Sequence, residues 1–125
     1  MKAKIETSGA PKATGPFSQA VVEGNMVFTS GQVHLTPDGK LLDASIEEQT
    51  HQIMRNLKNI LEAAGVSFAN VTKVTIYVTD MSNYGKVNDV YKTYFSDPFP
   101  AREVVCVKEL PVGAKIEISM VAIKP

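Results

Sequence analysis

The feature that most constrains the fold is one long amphipathic stretch between Ser45 and Gly65. Apolar residues recur along it at the spacing of one helical face, which is typical of a helix packed on a core. Ser45 and Glu48 have the spacing of a capping box, and Gly65 stands where helices commonly end. We therefore predict a helix here, with an inner stripe of Ile46, Ile53, Met54, Leu57, Ile60, Leu61 and Ala64.

Segments with the two-residue alternation of strands lie on both sides of this helix. Before it, residues 18–33 predict two strands around a turn at Glu23, Gly24 and Asn25, and a Pro-Asp-Gly turn follows within Thr36–Lys40. After it, the pattern predicts a strand with one face of Thr72, Val74, Ile76 and Val78, then a second helix with an inner stripe of Tyr84, Val87, Tyr91, Tyr94 and Phe95. Two last strands are predicted near residues 102–107 and 115–123.

The element order ββ(β)αβαββ predicts an α+β protein, a two-layer sandwich with two helices on one face of a mixed sheet. A chain of 125 residues is long enough to bury its own core, so we expect a single domain over residues 1–125. The other sheet face is half apolar, because Val121, Ile123, Val105 and Val107 alternate with the residues assigned to the core. Since a large exposed apolar patch usually marks an interface, we predict a homo-oligomer in which the open sheet faces meet.

The charge balance, the apolar pattern and the cysteine content argue against several classes of protein. Thirteen Lys and Arg residues balance thirteen Asp and Glu residues, whereas tight nucleic-acid binders usually carry a basic surplus. No apolar stretch approaches the roughly 18 residues of a membrane span, and no secretory signal is visible. The one cysteine, Cys106, fits a reducing compartment. We therefore expect a cytoplasmic protein with no membrane partner and no nucleic-acid partner.

The sequence lacks most motifs of catalysis and cofactor binding. The two histidines, His34 and His51, fall in different predicted elements and lack metal-ligand spacing, so surface or half-buried structural histidines are expected. No phosphate loop, dinucleotide fingerprint or Ser/His/Asp order is present, and we expect no metal and no cofactor. Cys106 lies among valines in a strand, where a cysteine usually acts as a small apolar core residue.

Two charged residues remain, Arg102 at the start of one strand and Glu117 within the next. If the two strands pair as an antiparallel hairpin, these side chains come close together. One interpretation is a structural ion pair. The other is a small anionic-ligand site, with Arg102 gripping a carboxylate and Glu117 handling water or a proton. Spacing alone leaves both open, as it leaves open whether the two residues meet within one subunit or across two.

Six segments, in this order, resemble the RidA/YjgF family of reactive enamine/imine deaminases, which also carries the labels L-PSP endoribonuclease and translation inhibitor. They are GPFSQAV (15–21), FTSGQ (28–32), EEQTHQIMRNLKNILEAAG (47–65), VNDVYKTYF (87–95), PAR (100–102) and IEI (116–118). The resemblance implies a chorismate-mutase-like fold assembled as a homotrimer, with clefts between subunits. It also implies hydrolysis of 2-iminobutanoate and 2-iminopropanoate, products of PLP-dependent dehydratases, to 2-oxo acids and ammonia.

The resemblance implies catalytic roles for Arg102, which anchors the substrate carboxylate, and Glu117, which positions water and moves the proton. It implies substrate-binding roles for Phe17, Ser30, Gly31, Asn88 and the backbone of Val104. Other interpretations stay open for three of them: Gly31 as a residue that permits a tight backbone, Asn88 as a helix-surface or capping amide, and Phe17 as plain core.

Two departures from the family pattern affect the expected activity. Many of these deaminases have tyrosine at the position of Phe17, and many have a small residue and then cysteine where this chain has Glu103 and Val104. Glu103 should point away from Arg102 if the strand is regular. Two other functions are therefore considered: a non-catalytic module that binds a small carboxylate, and a weak endoribonuclease or translation inhibitor. The balanced charge argues against the latter as the main activity.

Overall fold

One mixed sheet of seven strands carries two helices in this computed structural model, which describes all residues from 1 to 125. The strands are β1 (Ala3–Ile5), β2 (Ala20–Glu23), β3 (Met26–Thr29), β4 (Gln32–Val33), β5 (Val71–Val78), β6 (Ala101–Cys106) and β7 (Ile116–Ile123). The helices are α1 (Ile46–Ala63) and α2 (Tyr84–Tyr91). The predicted α+β class is confirmed, with β1 and β4 as short additional strands.

The strand order is β1-β2-β3-β7-β5-β6, and β4 also pairs with β7. Only the β5–β6 pair is parallel, and every other pair is antiparallel. The last two strands do not pair as the hairpin that the sequence left open, because β5 lies between β6 and β7. A parallel neighbour needs a crossover connection, and the α2 segment between β5 and β6 supplies it.

Helix α1 forms as its sequence predicts. The backbone N–H of Glu48 donates to Ser45 Oγ at 3.1 Å, which satisfies one of the free donors of the first turn. At the other end Gly65 adopts a φ of +82°, a left-handed conformation that glycine enters without strain. The apolar stripe of α1 forms the centre of the core, and Ile53, Leu57 and Ile60 on this stripe are fully buried.

Helix α2 lies between two short 3₁₀ turns, at Met81–Asn83 and Lys92–Tyr94. Asp80 begins this segment by accepting a hydrogen bond from the backbone N–H of Ser82 at 2.9 Å. Val87 and Tyr91 are buried, whereas Tyr84 is only half-buried at the edge of the core. One part of the inner stripe of α2 thus stays near solvent.

The two helices cover one face of the sheet and leave the other open. Strand β7 alternates strictly, with Ile116, Ile118, Met120 and Ala122 buried and its other four residues half-buried. On the open face Met26, Phe28 and Val105 are each 38 % exposed. An apolar open face was predicted, and the structure has one.

Strand β5 departs from its predicted alternation at its start. A bulge between Val71 and Lys73 buries Val71 and turns Thr72 outward, so the prediction that Thr72 shares a face with Val74 is wrong. An extra residue in one strand shifts the following side chains by one position, and alternation alone does not reveal this. Val74, Ile76 and Val78 face the core as predicted.

The predicted turns form. Gly24, with a φ of +61°, and Asn25 connect β2 to β3 as a two-residue hairpin. Thr36 and Lys40 are joined by a backbone hydrogen bond of 2.8 Å that closes the Pro-Asp-Gly turn. Neither helix is both long enough and apolar enough to span a membrane.

Candidate active site

Arg102 lies on the face of β6 that the helices cover. Its Cα is in register with Val74 of β5, which is fully buried, and α2 lies above it. One terminal nitrogen of the guanidinium donates to Asn88 Oδ1 at 2.7 Å, and the other donates to the Tyr84 hydroxyl at 2.6 Å. Both acceptors belong to α2.

The guanidinium also lies over two aromatic rings. Its central carbon is 4.8 Å from the ring centroid of Tyr91 and 5.6 Å from that of Tyr84. Both distances are within the range of a cation–π contact. The hydroxyl of Tyr91 is enclosed and has no hydrogen-bond partner of ordinary geometry, and burial raises the pKa of Tyr91 despite the nearby positive charge.

No carboxylate neutralises Arg102. None of the six ion pairs in the molecule includes it, and its two hydrogen-bond acceptors are both uncharged. A half-buried guanidinium without an acidic partner is unusual, because buried charges are normally paired. A cavity of about 350 Å³ opens beside it, lined by Asn88, Tyr91, Lys92, Phe99, Pro100 and Arg102.

Glu117 lies on the open face of β7, in register with Tyr77 of β5 and Val33 of β4. It makes no ion pair, and none of the side-chain hydrogen bonds in the molecule involves its carboxylate. Burial raises the pKa of this carboxyl above its usual value. Gly31 packs directly against it: a Cβ placed on Gly31 would lie 2.6 Å from both Cδ and Oε2 of Glu117.

Ser30 precedes Gly31 in the chain and contacts the loop that carries Phe17. The Ser30 hydroxyl donates to the backbone oxygen of Ser18 at 2.6 Å, which ties the turn after β3 to the loop that carries Phe17. Phe17 is 56 % exposed, so the interpretation of Phe17 as a core residue is wrong. Its ring lines a surface groove of about 630 Å³ whose walls come from the N-terminal loop and include Thr7, Ser8 and Lys12.

Most of the predicted site residues therefore form two groups. The first, which we call the Arg102 cluster, contains Arg102, Asn88 and Val104. The second, the Glu117 cluster, contains Glu117, Gly31 and the adjacent Ser30. Phe17 belongs to neither group, because it lines the separate groove of the N-terminal loop. Within one chain Arg102 and Glu117 point to opposite faces of the sheet, two strands and three residues apart, which places their Cα atoms about 14 Å from each other. The interpretation as an ion pair within one chain is thus wrong.

The side chain of Glu103 does not reach Arg102. Its carboxylate pairs with Lys73 Nζ at 2.7 Å on the open face, as expected for a regular strand. Val104 is half-buried and lies on the same face as Arg102, packed against the core.

Both histidines have structural surroundings. His34 is buried, with Nδ1 2.9 Å from the backbone oxygen of Leu42, and its Nε2 accepts from the backbone N–H of Lys115 at 3.0 Å. This pattern requires the neutral ring, and burial lowers its pKa. His51 is half-buried, with Nδ1 2.7 Å from the Tyr94 hydroxyl. No three His, Cys, Asp or Glu side chains are placed to hold a metal ion together.

Cys106 is exposed, so its assignment to the core is wrong. It is the last residue of β6, which is the edge strand of the sheet, and the valines around it in the sequence do not cover it. The valines on either side of Cys106 in the sequence had indicated that this cysteine is a small apolar core residue. The position of the strand within the sheet decides the exposure of its residues, and the sequence does not show that position.

Sequence reasoning missed Tyr84 and Tyr91 as neighbours of Arg102. Both had been assigned only to the apolar stripe of α2. A signal was present, because Tyr84, Asn88 and Tyr91 are four and three residues apart and so share one helix face. It becomes informative only when β6 is known to lie beside this face.

Comparison with known proteins places this chain in a family. The profile described as Endoribonuclease L-PSP matches residues 7–124. A RutC family protein of Pyrococcus horikoshii is 46 % identical over 125 residues, which cover 99 % of both chains. A mouse protein named 2-iminobutanoate/2-iminopropanoate deaminase is 44 % identical over 121 residues, which cover 96 % of this chain and 90 % of the mouse protein.

A crystal structure of a Thermotoga maritima protein has the same fold, with a TM-score of 0.97 and 50 % identity over 100 % of this chain and 99 % of that one. The chain belongs to the RidA/YjgF/RutC family, which confirms the resemblance noted in its motifs. Its chorismate-mutase-like α+β fold is confirmed as well.

Proposed function

We propose that this protein is a 2-iminobutanoate/2-iminopropanoate deaminase. The observation that carries the proposal is Arg102, a half-buried cation that has two uncharged acceptors, no acidic partner and a cavity beside it. Such a group selects a small anion, and a planar guanidinium binds a carboxylate with two parallel hydrogen bonds. The mouse relative named for this activity supports the choice of a 2-imino acid.

Arg102 is the residue that orients the substrate in this proposal. A 2-imino acid has its carboxylate directly beside the electrophilic C=N carbon. Holding the carboxylate in two hydrogen bonds therefore fixes the direction from which water reaches that carbon, which is catalysis by orientation. The substrate already reacts with water, so few functional groups suffice.

Glu117 is the proton carrier. Its carboxylate takes a proton from the attacking water as the C2–O bond forms, and it passes that proton to the imine nitrogen as the C=N π bond breaks. In the second half the carbinolamine hydroxyl gives its proton through Glu117 to nitrogen. The C–N bond then breaks and ammonia leaves a 2-oxo acid. The raised pKa of Glu117 suits a group that must hold a proton between these steps.

Because the Arg102 cluster and the Glu117 cluster lie on opposite faces of one chain, we propose that neighbouring chains supply them to a shared cleft. The apolar open face, with Phe28 and Val105 exposed, supports such an assembly. A homotrimer is the proposed form, in which each of three clefts combines Arg102 of one subunit with Glu117 of another.

The remaining predicted residues have supporting roles in this proposal. Ser30 and Gly31 line the cleft beside Glu117, Phe17 closes one side, and the backbone of Val104 contacts the ligand or the water. The exposure of the Phe17 ring supports its part, because an aromatic side chain in contact with solvent is free to cover a bound ligand. The cytoplasm, where dehydratases generate the imines, is the proposed compartment.

A coupled assay tests the proposed function. A threonine dehydratase generates 2-iminobutanoate, semicarbazide traps it, and the purified protein competes for it. We expect wild type to suppress semicarbazone formation, and Arg102→Ala and Glu117→Gln to fail. Arg55→Ala is the matched control, because Arg55 is an exposed arginine of α1 that hydrogen-bonds Gln52, outside both clusters.

Two results would overturn the proposal. Binding of 2-oxobutanoate without any imine hydrolysis would make the protein a carboxylate-binding module. RNA cleavage that survives Arg102→Ala, with no effect of wild type on the semicarbazone, would instead support a ribonuclease.

A further inference from the structure

The guanidinium of Arg102 is held in one orientation by uncharged groups. Tyr84 and Asn88 are four residues apart, so they lie one above the other on the same face of α2. Each accepts one hydrogen bond from a different terminal nitrogen, at 2.6 Å and 2.7 Å. The ring of Tyr91, with its centroid 4.8 Å away, supports the same group from a third direction.

Two acceptors use only part of the donor capacity of the guanidinium. An arginine side chain has five N–H donors, so three remain after the bonds to Tyr84 and Asn88. Two parallel hydrogen bonds to a carboxylate need two of them. The arrangement thus fixes the plane of the group and still leaves enough donors for a ligand.

The neutrality of these partners is the important property. An aspartate or glutamate at either position would orient Arg102 equally well, but it would also neutralise the charge that attracts an anion. A phenol and an amide provide the orientation and leave the charge available. Because a long arginine side chain loses considerable conformational freedom when it is immobilised, ordering it before the ligand arrives lowers the cost of binding.

We propose that Tyr84 is a positioning residue for Arg102, and that Asn88 also acts through Arg102 and not on the substrate directly. This inference rests on the proposed function, since it assigns Arg102 to a ligand carboxylate. The phenol of Tyr84 is thereby a determinant of affinity for small carboxylates. The proton transfers at Glu117 do not involve it.

The test compares Tyr84→Phe with Tyr94→Phe and wild type. Both variants remove one phenolic hydroxyl from the same segment of the chain, but the Tyr94 hydroxyl contacts His51 and not Arg102. The measurements are KM and kcat in the imine assay, the Kd for 2-oxobutanoate by calorimetry, and Tm. For Tyr84→Phe we expect KM and Kd to rise about tenfold, with kcat within twofold of wild type and Tm nearly unchanged.

If Tyr84 only stabilises the fold, the Tyr84→Phe variant will have a lower Tm than wild type, and its KM and Kd will equal those of wild type. That pattern overturns the inference, as does an equal rise in KM for Tyr94→Phe. If wild type binds 2-oxobutanoate but hydrolyses no imine, the proposed function is wrong, and the Kd values alone then decide the role of Tyr84. If wild type binds no 2-oxobutanoate, the assignment of Arg102 to a carboxylate is wrong, and the inference is wrong with it.

Discussion

Arg102 and Glu117 lie on opposite faces of the same sheet, with β5 between the strands that carry them. Neither has a partner of opposite charge. One chain therefore holds the two charged groups of the candidate site without bringing them together.

Mixing two inactive variants should restore activity. In subunits combined at random from equal amounts of Arg102→Ala and Glu117→Gln chains, one shared cleft in four receives an intact Arg102 and an intact Glu117. We expect about a quarter of wild-type activity after the variants are unfolded and refolded together. Each variant refolded alone is the control. No recovery in the mixture, with assembled protein present by light scattering, would contradict a shared site.

Gly31→Ala should lower activity by displacing Glu117. The added Cβ would lie 2.6 Å from the Glu117 carboxyl carbon, which is too close for any real contact, so the carboxylate must move. We expect at least a tenfold fall in kcat, because a misplacement of about 1 Å at a catalytic group has costs of this size or more. Gly85→Ala is the control: nothing lies within 4 Å of that site, and alanine in a helix stabilises by up to about 1 kcal/mol. Equal activity in the two variants would argue against a catalytic Glu117.

The stability of the protein should depend on the charge of Glu117. Since burial raises the pKa of this carboxyl in the folded state, the folded protein holds its proton more tightly than the unfolded chain. That contribution to stability is complete below the usual pKa of 4.5 and is lost as pH rises through the folded value. We expect Glu117→Gln to melt at a higher temperature than wild type at pH 7, and the difference to disappear towards pH 4.5. A variant that melts lower at pH 7 would show that the carboxylate has a stabilising partner.

His34 should make the protein less stable in mild acid. Its folded pKa is lowered, so the unfolded chain binds the proton more readily than the folded protein does. This stabilising contribution is present above the usual pKa of 6.5 and is lost as pH falls from there towards the folded value. We expect urea unfolding to show a fall in stability below pH 6.5 that is smaller in His34→Asn. Equal slopes in the two proteins would assign the pH dependence to other groups.

Local patterns in the sequence were sufficient to predict much of this fold. The helix between Ser45 and Gly65, the hairpin at Gly24 and the Pro-Asp-Gly turn each depend on residues near one another in the chain. The position of β6 depends on a crossover, and neighbouring residues do not encode it. For this reason the sequence left a hairpin between β6 and β7 open, and the prediction that Cys106 is buried was wrong.

Some residues of the candidate site could likewise be predicted from the sequence, and others could not. Motif resemblance selected Arg102, Glu117, Gly31 and Ser30, and the structure places the last three together. Tyr84 escaped notice because a tyrosine on an apolar stripe is usually a packing residue. Its hydroxyl gains a role only from a strand that follows it by 17 residues in the chain.

The uncharged setting of Arg102 has a consequence for turnover. In imine hydrolysis the carboxylate is the group that the reaction leaves unchanged, so substrate and product present the same anchor to this guanidinium. A contact that is equally strong before and after the chemical step holds the product as firmly as the substrate. The proposed enzyme should therefore be subject to competitive product inhibition, and in a cell rich in 2-oxo acids its occupancy would follow the ratio of imine to oxo acid.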